Sequence, residues 1–421
     1  MRVGIQAWGS DGDIRPLLAL GGALVSAGHD VRMVASSADD TDYSALAARL
    51  RVPLTMVPER MNAPLGEIAA RAGGGSNQFK LMREVLAAAF YPHLDAMYAA
   101  ALELCRTSDV VVGHFAAWFV RVAAWKTGAR LATFVPWPGM VPTGDEPPVW
   151  FPRIPGLTRA QWRLVTALAG VMCKKGANEL LRREGLPPVR VAIPDLLLSD
   201  GLNLLAASPA LWPRASDWDE RHQVCGAFEL PEDSEPWQPP PDLSAFLESG
   251  APPVFLSFGS SEQVDPARSR ELLVEGARRA GVRAVIQLKS ERRAEGHRDG
   301  QLYFLPRAPH TRLFPRCSFV VHHGGAGTSH TVARAGVPSV AVYFSDEQRS
   351  WGDRLAKHGL APPPLSYFRT DPDAVAARIR AGLGAPEMSA RAAAMAARMR
   401  GENGPAAATN LLETWVEKAA E

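Results

Sequence analysis

Short apolar strands alternate with amphipathic helical segments along this chain, and glycine-rich turns join several strands to the helix that follows. In the first block, residues 3–7 lead through such a turn to a helix that we expect to start near Pro16, and residues 31–35 form the next apolar run. Strand, turn, helix and strand in this order make a βαβ unit. Strands that are apolar throughout are typical of a parallel sheet covered on both faces, so an α/β fold is expected.

The alternation occurs in two blocks that a proline-rich, acidic segment separates. Further strands are predicted before this segment at 109–113, 130–135 and 202–206, and after it at 253–258, 284–288, 319–321 and 339–342. A chain of 421 residues is also longer than one hydrophobic core usually supports. The sequence therefore predicts two doubly wound, Rossmann-like domains that face a cleft. The predicted boundaries are 1–230, a linker at 231–252, 253–398, and a last helix at 399–421.

The charges of the chain nearly balance. With 46 Lys and Arg against 44 Asp and Glu, the formal net charge is +2, which argues against a dedicated nucleic-acid binder. The four cysteines form no CxxC pair, so neither a zinc site nor a disulfide framework is expected, and their small number suits a reducing compartment. No secretory leader and no uncharged apolar stretch of about 18 residues is evident, which predicts a cytoplasmic protein without stable membrane insertion.

One strand-to-helix turn, from His322 to Thr328, has the sequence HHGGAGT. Ligands of open α/β sheets bind beyond the carboxyl ends of the strands, where such turns lie. Glycine lets the backbone approach a ligand closely, and the free N–H groups at the start of the next helix favour a phosphate. His323 and Thr328 add donors to this predicted phosphate site. A tight turn without a ligand is the alternative, and so is a metal site, although no third metal ligand is evident nearby.

Two further turns are candidate sites. Residues 257–261, SFGSS, offer N–H and hydroxyl groups to the same pyrophosphate, although a plain turn is the simpler interpretation of this segment alone. Residues 9–13, GSDGD, place carboxylates beside glycines. A carboxylate is better suited to general-base chemistry than to phosphate binding, and Asp13 is the better candidate base. A helix cap formed by Asp11 or Asp13 is the alternative.

In their order along the chain, these motifs resemble the family 1 nucleotide-sugar glycosyltransferases of the GT-B fold, in particular the bacterial natural-product and sterol glucosyltransferase branches. The resemblance covers nearly the whole chain, and it implies that the last helix, 399–421, crosses back to the first domain. It is carried by GSDGDIRP at 9–16, APHTRLFPRC at 308–317, HHGGAGT at 322–328, RAGVP at 334–338 and EQRSWG at 347–352.

The resemblance implies an inverting, metal-independent hexosyltransferase that needs no cofactor and takes a UDP- or dTDP-sugar as donor. Asp13 stands where much of the family has a histidine base, and it is expected to accept the proton of the acceptor hydroxyl. The helix end and His323 are expected to stabilise the leaving diphosphate. His114 follows the predicted strand at 109–113 and is expected to support Asp13 or to line the acceptor pocket, with a purely structural histidine as the alternative.

The resemblance also implies the donor-binding residues. Ala308 and His310 fall where the family contacts base and ribose, and Gln348 pairs with either Glu347 or Asp346 on the donor sugar. No aromatic residue beyond Gln287 is evident for stacking on the base, so base selectivity is open. The complete predicted set is Gly12, Gly259, Ser260, Gln287, Ala308, His310, His323, Gly325, Ala326, Gly327, Thr328, Asp346, Glu347 and Gln348.

The acceptor side is assigned to the first domain, where aromatic residues crowd around a proline-rich loop at 136–155. A hydrophobic small molecule fits such a surface, and core packing is the alternative for each ring. The aromatic residues are Phe115, Trp118, Trp125, Phe134, Trp137, Trp150, Phe151 and Trp162.

Three other functions stay open from the sequence. A nucleotide-sugar epimerase or hydrolase of the same fold needs no aromatic acceptor pocket, and Asp13 in its motif speaks against it. A non-catalytic auxiliary protein of a partner transferase is disfavoured because Asp13, His323 and Gln348 are intact. A sterol or lipid acceptor at a membrane surface has little support, because the net charge is only +2 and no basic amphipathic helix is evident.

Overall fold

The computed structural model describes residues 1–61, 68, 83–191, 193, 195–231, 237–291 and 296–418. These residues form two compact units. The N-terminal unit contains 1–61, 83–231 and 402–418, and the C-terminal unit contains 237–401. Residues 232–236 of the predicted linker and 419–421 of the predicted last helix lie outside the described residues.

The N-terminal unit is built on a seven-stranded sheet in which every neighbouring pair is parallel. The strand order is β3-β2-β1-β4-β5-β6-β7. β1 lies near the middle, so its side chains are buried on both faces, as its uninterrupted apolar sequence predicts. The strands are β1 Arg2–Gly9, β2 Asp30–Ser37, β3 Leu54–Met56, β4 Val110–His114, β5 Leu131–Val135, β6 Leu202–Leu205 and β7 His222–Val224.

Helices cover both faces of this sheet. The helices before the proline-rich loop are α1 Asp11–Ser26, α2 Ser44–Arg49, α3 Leu94–Thr107 and α4 Phe119–Thr127, and α5 Thr158–Arg183 follows it. One hydrophobic cluster packs α1 against one face of the sheet, and a second packs α3, α4 and the end of α5 against the other. The loop itself is irregular apart from a 3₁₀ turn at Pro138–Met140, as its prolines predict.

The first helix begins earlier than predicted. It starts at Asp11 with Ser10 as N-cap, and Pro16 lies inside it rather than near its start. The Asp13 Oδ2 atom accepts a hydrogen bond from the Ser10 backbone N–H at 2.9 Å, which closes a capping box. This cap starts the helix, and Pro16 is tolerated although it leaves one carbonyl of the preceding turn without its helical donor.

The C-terminal unit has a second seven-stranded sheet, in the order β10-β11-β9-β8-β12-β13-β14, that is parallel except for the β10–β11 pair. Its strands are β8 Val254–Leu256, β9 Ala284–Gln287, β10 His297–Asp299, β11 Leu302–Leu305, β12 Phe319–His322, β13 Ser339–Tyr343 and β14 Leu365–Ser366. Its helices are α6 Pro241–Glu248, α7 Pro266–Ala280, α8 His310–Leu313, α9 Ala326–Ala335, α10 Asp346–Lys357, α11 Pro372–Leu383 and α12 Pro386–Met399.

The predicted linker at 231–252 extends too far. Its residues Pro241–Glu248 form α6, whose Leu243, Phe246 and Leu247 are buried. The proline at position 241 occupies the first turn of the helix, where its missing N–H costs nothing, so the run of prolines marks a helix start rather than a continuous connector.

The chain ends in α13, Gly404–Lys418, which packs in the N-terminal unit although it follows the whole C-terminal unit in sequence. Its Ala408 and Leu412 are buried in the same cluster as α1. His29 Nε2 lies 2.8 Å from Glu413 Oε1, and Arg130 donates to the Val416 carbonyl at 3.0 Å. A Cβ on Gly404 would lie 2.5 Å from the Ala227 carbonyl, so only glycine permits this approach.

Within the described part of the chain, one helical segment, Arg83–Thr107, is long and apolar enough to cross a membrane by length and composition alone. Its last part is α3, whose Met97, Ala101 and Leu104 are buried against the N-terminal sheet.

Candidate active site

Asp13 and His114 meet at the carboxyl edge of the N-terminal sheet. Asp13 lies in the first turn of α1, directly after β1, and His114 is the last residue of β4, the parallel neighbour of β1. The Asp13 Oδ1 atom lies 3.2 Å from His114 Nε2, in contact without the alignment of a hydrogen bond. The His114 side chain is buried, whereas that of Asp13 is 30% exposed. A carboxylate that is partly exposed and in contact with a buried imidazole ring is a candidate general base.

Both oxygens of Asp13 are oriented by the fold. Oδ2 accepts the Ser10 N–H, and Oδ1 faces His114. A helix cap and a candidate base are therefore the same residue. Gly9 makes the arrangement possible, because its φ of +138° excludes most other residues and a Cβ there would overlap Asp13.

Gly12 stands apart from the other predicted donor-binding residues. It lies in the N-terminal unit, in the first turn of α1, while the remaining thirteen residues of that set belong to the C-terminal unit. A Cβ on Gly12 would meet nothing within 4 Å.

In the C-terminal unit, the turn between β12 and α9 exposes the start of a helix. The N-cap residue Gly325 has no side chain to cap the helix, and Ala326, Gly327 and Thr328 form its first turn. Their backbone N–H groups precede the first intrahelical hydrogen bonds, so they point outward with the positive end of the helix dipole. Four of the predicted donor-binding residues, Gly325 and Ala326 to Thr328, thus lie at one uncapped helix N-terminus.

Glycine is required in this turn. Gly324 has a φ of +83°, and a Cβ there would lie 2.6 Å from the Gln348 carbonyl oxygen. A Cβ on Gly325 would overlap the His323 ring. Gly324 therefore lets the turn approach the backbone of α10, and Gly325 leaves room for the His323 ring.

Three strand-to-helix turns of this unit meet. β8, β12 and β13 are parallel neighbours, so the turns that follow them lie at one edge of the sheet. A Cβ on Gly259 would lie 3.4 Å from the His323 ring, and Gln348 Nε2 lies 3.5 Å from Ser261 Oγ. Gln348 also accepts the Phe344 N–H through Oε1 at 2.7 Å. Ser260 is exposed in the first of these turns.

The predicted sugar ligands lie in the first turn of α10. Asp346, Glu347 and Gln348 are its first three residues, and all are partly exposed. Ser345 caps this helix by accepting the Gln348 N–H.

Gln287 and Ala308 are paired with each other. Gln287 is the last residue of β9, and its Oε1 atom accepts the Ala308 N–H at 3.0 Å. The amide therefore fixes the segment that carries His310, whose ring stacks on Phe314 at 4.6 Å and contacts Phe255 edge-on.

Burial keeps the histidines of this region neutral. It lowers the pKa of His322 to about 3 and the pKa values of His310, His323 and His330 to about 4. The neighbouring His323 ring adds to the lowering of the pKa at His310 and His322. At pH 7 His323 is therefore a neutral N–H donor and not a cation.

Glu262 was not singled out by the sequence, yet it organises the turn after β9. It is buried, and its carboxylate accepts the backbone N–H of Lys289 at 2.7 Å and the Ser290 hydroxyl at 2.9 Å. In the sequence, Glu262 is visible only as an acidic residue in the turn after a buried strand. Acidic residues in such turns are common on protein surfaces, so this one does not indicate a buried position.

The aromatic residues of the N-terminal unit divide between core and surface. Trp118, Phe134, Trp137 and Trp162 are buried, so core packing accounts for these four rings. Phe115 and Phe151 are partly exposed, and Trp125 and Trp150 are exposed by 37% and 40%.

A family model described as "Erythromycin biosynthesis protein CIII-like, C-terminal domain" matches residues 284–414. O-mycaminosyltylonolide 6-deoxyallosyltransferase of Streptomyces fradiae is 35% identical over 241 residues, which span 57% of this chain and only 56% of that relative. Vancomycin aglycone glucosyltransferase of Amycolatopsis orientalis is 31% identical over 424 residues and covers 98% of this chain and 97% of the relative. The chain belongs to the family 1 glycosyltransferases. Antibiotic and sterol glucosyltransferases are among its relatives, as the sequence motifs predict.

The fold agrees with that of solved glycosyltransferases. The structure of glycosyltransferase VinC in complex with dTDP matches with a TM-score of 0.68 at 20% identity, over 99% of this chain and 100% of that one. The predicted GT-B fold of this family 1 member is confirmed.

Proposed function

We propose that this family 1 glycosyltransferase moves a hexose from a dTDP- or UDP-sugar to a hydroxyl group of a hydrophobic small molecule, with inversion at the anomeric carbon and without a metal ion. The observation that carries the proposal is the contact between Asp13 and His114 at the carboxyl edge of β1 and β4. It gives one unit a candidate base, while the other unit presents an uncapped helix N-terminus suited to a diphosphate.

The donor assignment is supported by the α9 turn. Backbone N–H groups of Ala326, Gly327 and Thr328, together with the neutral His323 ring, offer hydrogen bonds to the diphosphate without a broad basic surface. These groups are fixed before reaction, so they stabilise the charge that develops on the leaving diphosphate. The dTDP bound to VinC, a structural neighbour, agrees with a nucleotide-sugar donor.

In the proposed mechanism Asp13 takes the proton of the acceptor hydroxyl as the oxygen attacks the anomeric carbon and the bond to the nucleotide diphosphate breaks. A carboxylate is a weak base, so it accepts the proton late, as the new bond forms. His114 positions the carboxylate through its contact with Oδ1. A single displacement inverts the configuration, and no covalent intermediate forms.

The proposal is tested by comparing the wild type with Asp13→Asn and Asp11→Asn. Each protein is titrated with dTDP, UDP and GDP by thermal shift and is then assayed with the preferred donor and an acceptor panel. Asp13→Asn keeps the size of the side chain, so nucleotide binding is expected to persist while transfer falls by about 100-fold or more. Asp11→Asn is expected to retain transfer. A wild type that shifts with no nucleotide, or full transfer by Asp13→Asn, contradicts the proposal.

Sugar release in the absence of an acceptor separates the transferase from a hydrolase. Nucleotide diphosphate is expected to appear only when an acceptor is present, and its rate is expected to stay the same when EDTA is added.

A further inference from the structure

His322 is a buried histidine that the proposed mechanism does not use. It is the last residue of β12, it is 1% exposed, and the chain passes from it directly into the turn before α9. The next residue, His323, is partly exposed and is the ring proposed to contact the diphosphate. Because the protein covers the His322 ring, this ring can influence a ligand only through the groups that it holds.

Both ring nitrogens of His322 have partners. Nδ1 accepts the backbone N–H of Gly324 at 3.1 Å, and Nε2 lies 3.3 Å from the hydroxyl of Ser339, a buried residue at the start of the neighbouring strand β13. A backbone N–H can only donate, so Nδ1 carries no proton and the Nε2–H of the neutral ring donates to Ser339. Burial lowers the pKa of His322 to about 3, which agrees with a neutral ring at pH 7.

The hydrogen bond between Gly324 and His322 closes a small ring of atoms around His323. It joins residues two positions apart, as the side chains of Asn and Asp do in Asx turns, so it fixes the backbone of the residue between them. The His323 ring packs closely on two glycines, because a Cβ on Gly325 would overlap it and a Cβ on Gly259 would lie 3.4 Å from it. The direction of the His323 ring therefore depends on the backbone that His322 holds.

The turn needs such a fixed acceptor. Gly324 and Gly325 are consecutive, and glycine has the widest range of backbone conformations, so hydrogen bonds must select one of them. The Gly324 N–H is buried where it meets His322. A buried N–H that loses its acceptor is unfavourable, so without Nδ1 the turn is expected to leave its present conformation.

We propose that His322 is a positioning residue for the leaving diphosphate: its Nδ1 atom holds the Gly324 N–H and thereby sets the direction of the His323 ring and of the first N–H groups of α9. This inference rests on the proposed function, since it concerns the same diphosphate site. Donors stabilise developing charge best when they are fixed before the reaction, and a residue behind the ligand contacts commonly fixes them. The alternative is that His322 only fills space between the sheet and its covering helices.

The experiment compares His322→Asn with His322→Leu, two side chains of the same branched shape. The Oδ1 atom of Asn is bonded to Cγ, as Nδ1 is in histidine, so it can accept the Gly324 N–H, whereas Leu has no acceptor. The Kd values of dTDP and UDP are measured by calorimetry. For the nucleotide that the wild type prefers, we expect His322→Asn to bind within about 3-fold of the wild type and His322→Leu to bind about 10-fold more weakly.

A second variant and a second measurement separate the acceptor from the shape of the side chain. His322→Gln places its amide near the former Nε2 position and leaves the Gly324 N–H without an acceptor, so it is expected to bind like His322→Leu. Exchange of the Gly324 amide proton, followed by nuclear magnetic resonance without nucleotide, is expected to quicken in the Leu and Gln variants and to stay slow in the Asn variant.

Val320→Ala is the matched control. Val320 lies two residues before His322 on the same face of β12 and is fully buried, so its truncation destabilises the strand but leaves the acceptor of Gly324 in place. Its nucleotide Kd is expected to equal that of the wild type, and circular dichroism checks that every variant is folded.

The inference is overturned if the Asn variant loses as much affinity as the Leu and Gln variants, if all three bind like the wild type, or if Val320→Ala binds as weakly as His322→Leu. Any of these results leaves the proposed function intact. A wild type that binds neither dTDP nor UDP contradicts the proposed function itself, and the role of His322 falls with it.

Discussion

At the scale of single residues, the position of Asp13 depends on a glycine four residues earlier. Gly9 has a φ of +138°, and a Cβ there would overlap the Asp13 carboxylate. Gly9→Ala is therefore expected to lower the free energy of unfolding by about 1–3 kcal/mol and to reduce transfer by displacing the base. The measurements are urea denaturation and the rate of transfer.

Gly12→Ala is the stability control for this change. It lies in the same motif but in helical backbone with open space around it, so its unfolding free energy is expected to stay equal to that of the wild type or to rise slightly. Equal stabilities of the two variants would show that the Gly9 backbone does not constrain Asp13.

Four histidines of the C-terminal unit predict a loss of stability in acid. His310, His322, His323 and His330 have pKa values lowered to about 3 or 4 by burial, against 6.5 for an exposed histidine. The unfolded chain binds more protons below pH 6.5, so the stabilisation is complete above that pH and declines as the pH falls toward 4. Between pH 7 and 5.5 the buried rings of His322 and His330 are each expected to cost about 1 kcal/mol of unfolding free energy, and the partly exposed rings of His310 and His323 less.

Denaturant unfolding at several pH values measures this dependence. The His330 ring is buried against Trp351 and donates to the Ala326 carbonyl. In His330→Gln the unfolding free energy is therefore expected to fall less between pH 7 and 5.5 than in the wild type, by the contribution of one histidine. If the unfolding free energy does not change from pH 7 to 5.5, the pKa values of these histidines are not lowered in the folded protein.

At the scale of elements, the turn after β9 depends on one buried carboxylate. Glu262→Ala would leave the Lys289 N–H and the Ser290 hydroxyl without their protein acceptor at a partly buried position. A loss of about 1–2 kcal/mol in unfolding free energy is expected, because water can replace part of what the donors lose. Nucleotide binding is expected to weaken as well, because this turn lies at the carboxyl edge of the sheet. Thermal denaturation with and without dTDP measures both effects.

Glu275→Ala is the matched control in the same unit. Glu275 forms an exposed pair with Arg278 at 3.1 Å, and such a pair contributes little to stability. If both glutamate variants lose the same amount of unfolding free energy, Glu262 has no special part in holding the turn.

The elements that the sequence predicts well are those with a strong local pattern. The central strands, such as β1 and β12, are apolar on both faces, and their predicted ranges agree with the structure within about two residues. The strands that the sequence does not predict lie toward the sheet edges and are two to four residues long, such as β3 and β14. Their pairing depends on the neighbouring strand rather than on their own residues, so no local sequence pattern predicts them.

The candidate sites show the same division. Glycine turns between strand and helix are visible in the sequence, so the α9 turn and the Gly9–Asp13 motif were predicted. The contact of His114 with Asp13 joins residues about a hundred positions apart, so no local pattern shows it. Support of Asp13 is one of the roles left open for His114, and the parallel pairing of β1 and β4 brings the two side chains together. The buried position of Glu262 likewise depends on the turn that packs over it.

At the scale of the whole molecule, the N-terminal unit depends on the last helix. Leu412 on α13 is fully buried in the cluster that contains α1. Leu412→Ala is expected to lower the unfolding free energy by about 2–4 kcal/mol through the cavity it leaves. Hydrogen exchange is expected to quicken in α1 and to stay unchanged in the C-terminal unit.

Leu383→Ala serves as its control, because that leucine is 41% exposed in the C-terminal unit. Little change in stability or exchange is expected there. Faster exchange throughout both units of the Leu412 variant would indicate that they unfold together.

The return of α13 also reverses the usual order in which a two-unit protein matures on the ribosome. Domains generally fold as they emerge, with the N-terminal one first. Here the N-terminal unit has all of its strands early, yet a helix of its core, Gly404–Lys418, is synthesised only after the C-terminal unit. Residues 237–401 of the C-terminal unit leave the exit tunnel before that helix does. A nascent chain that stalls before residue 404 therefore exposes the apolar surface of α1, and it is a ready substrate for chaperones and proteases.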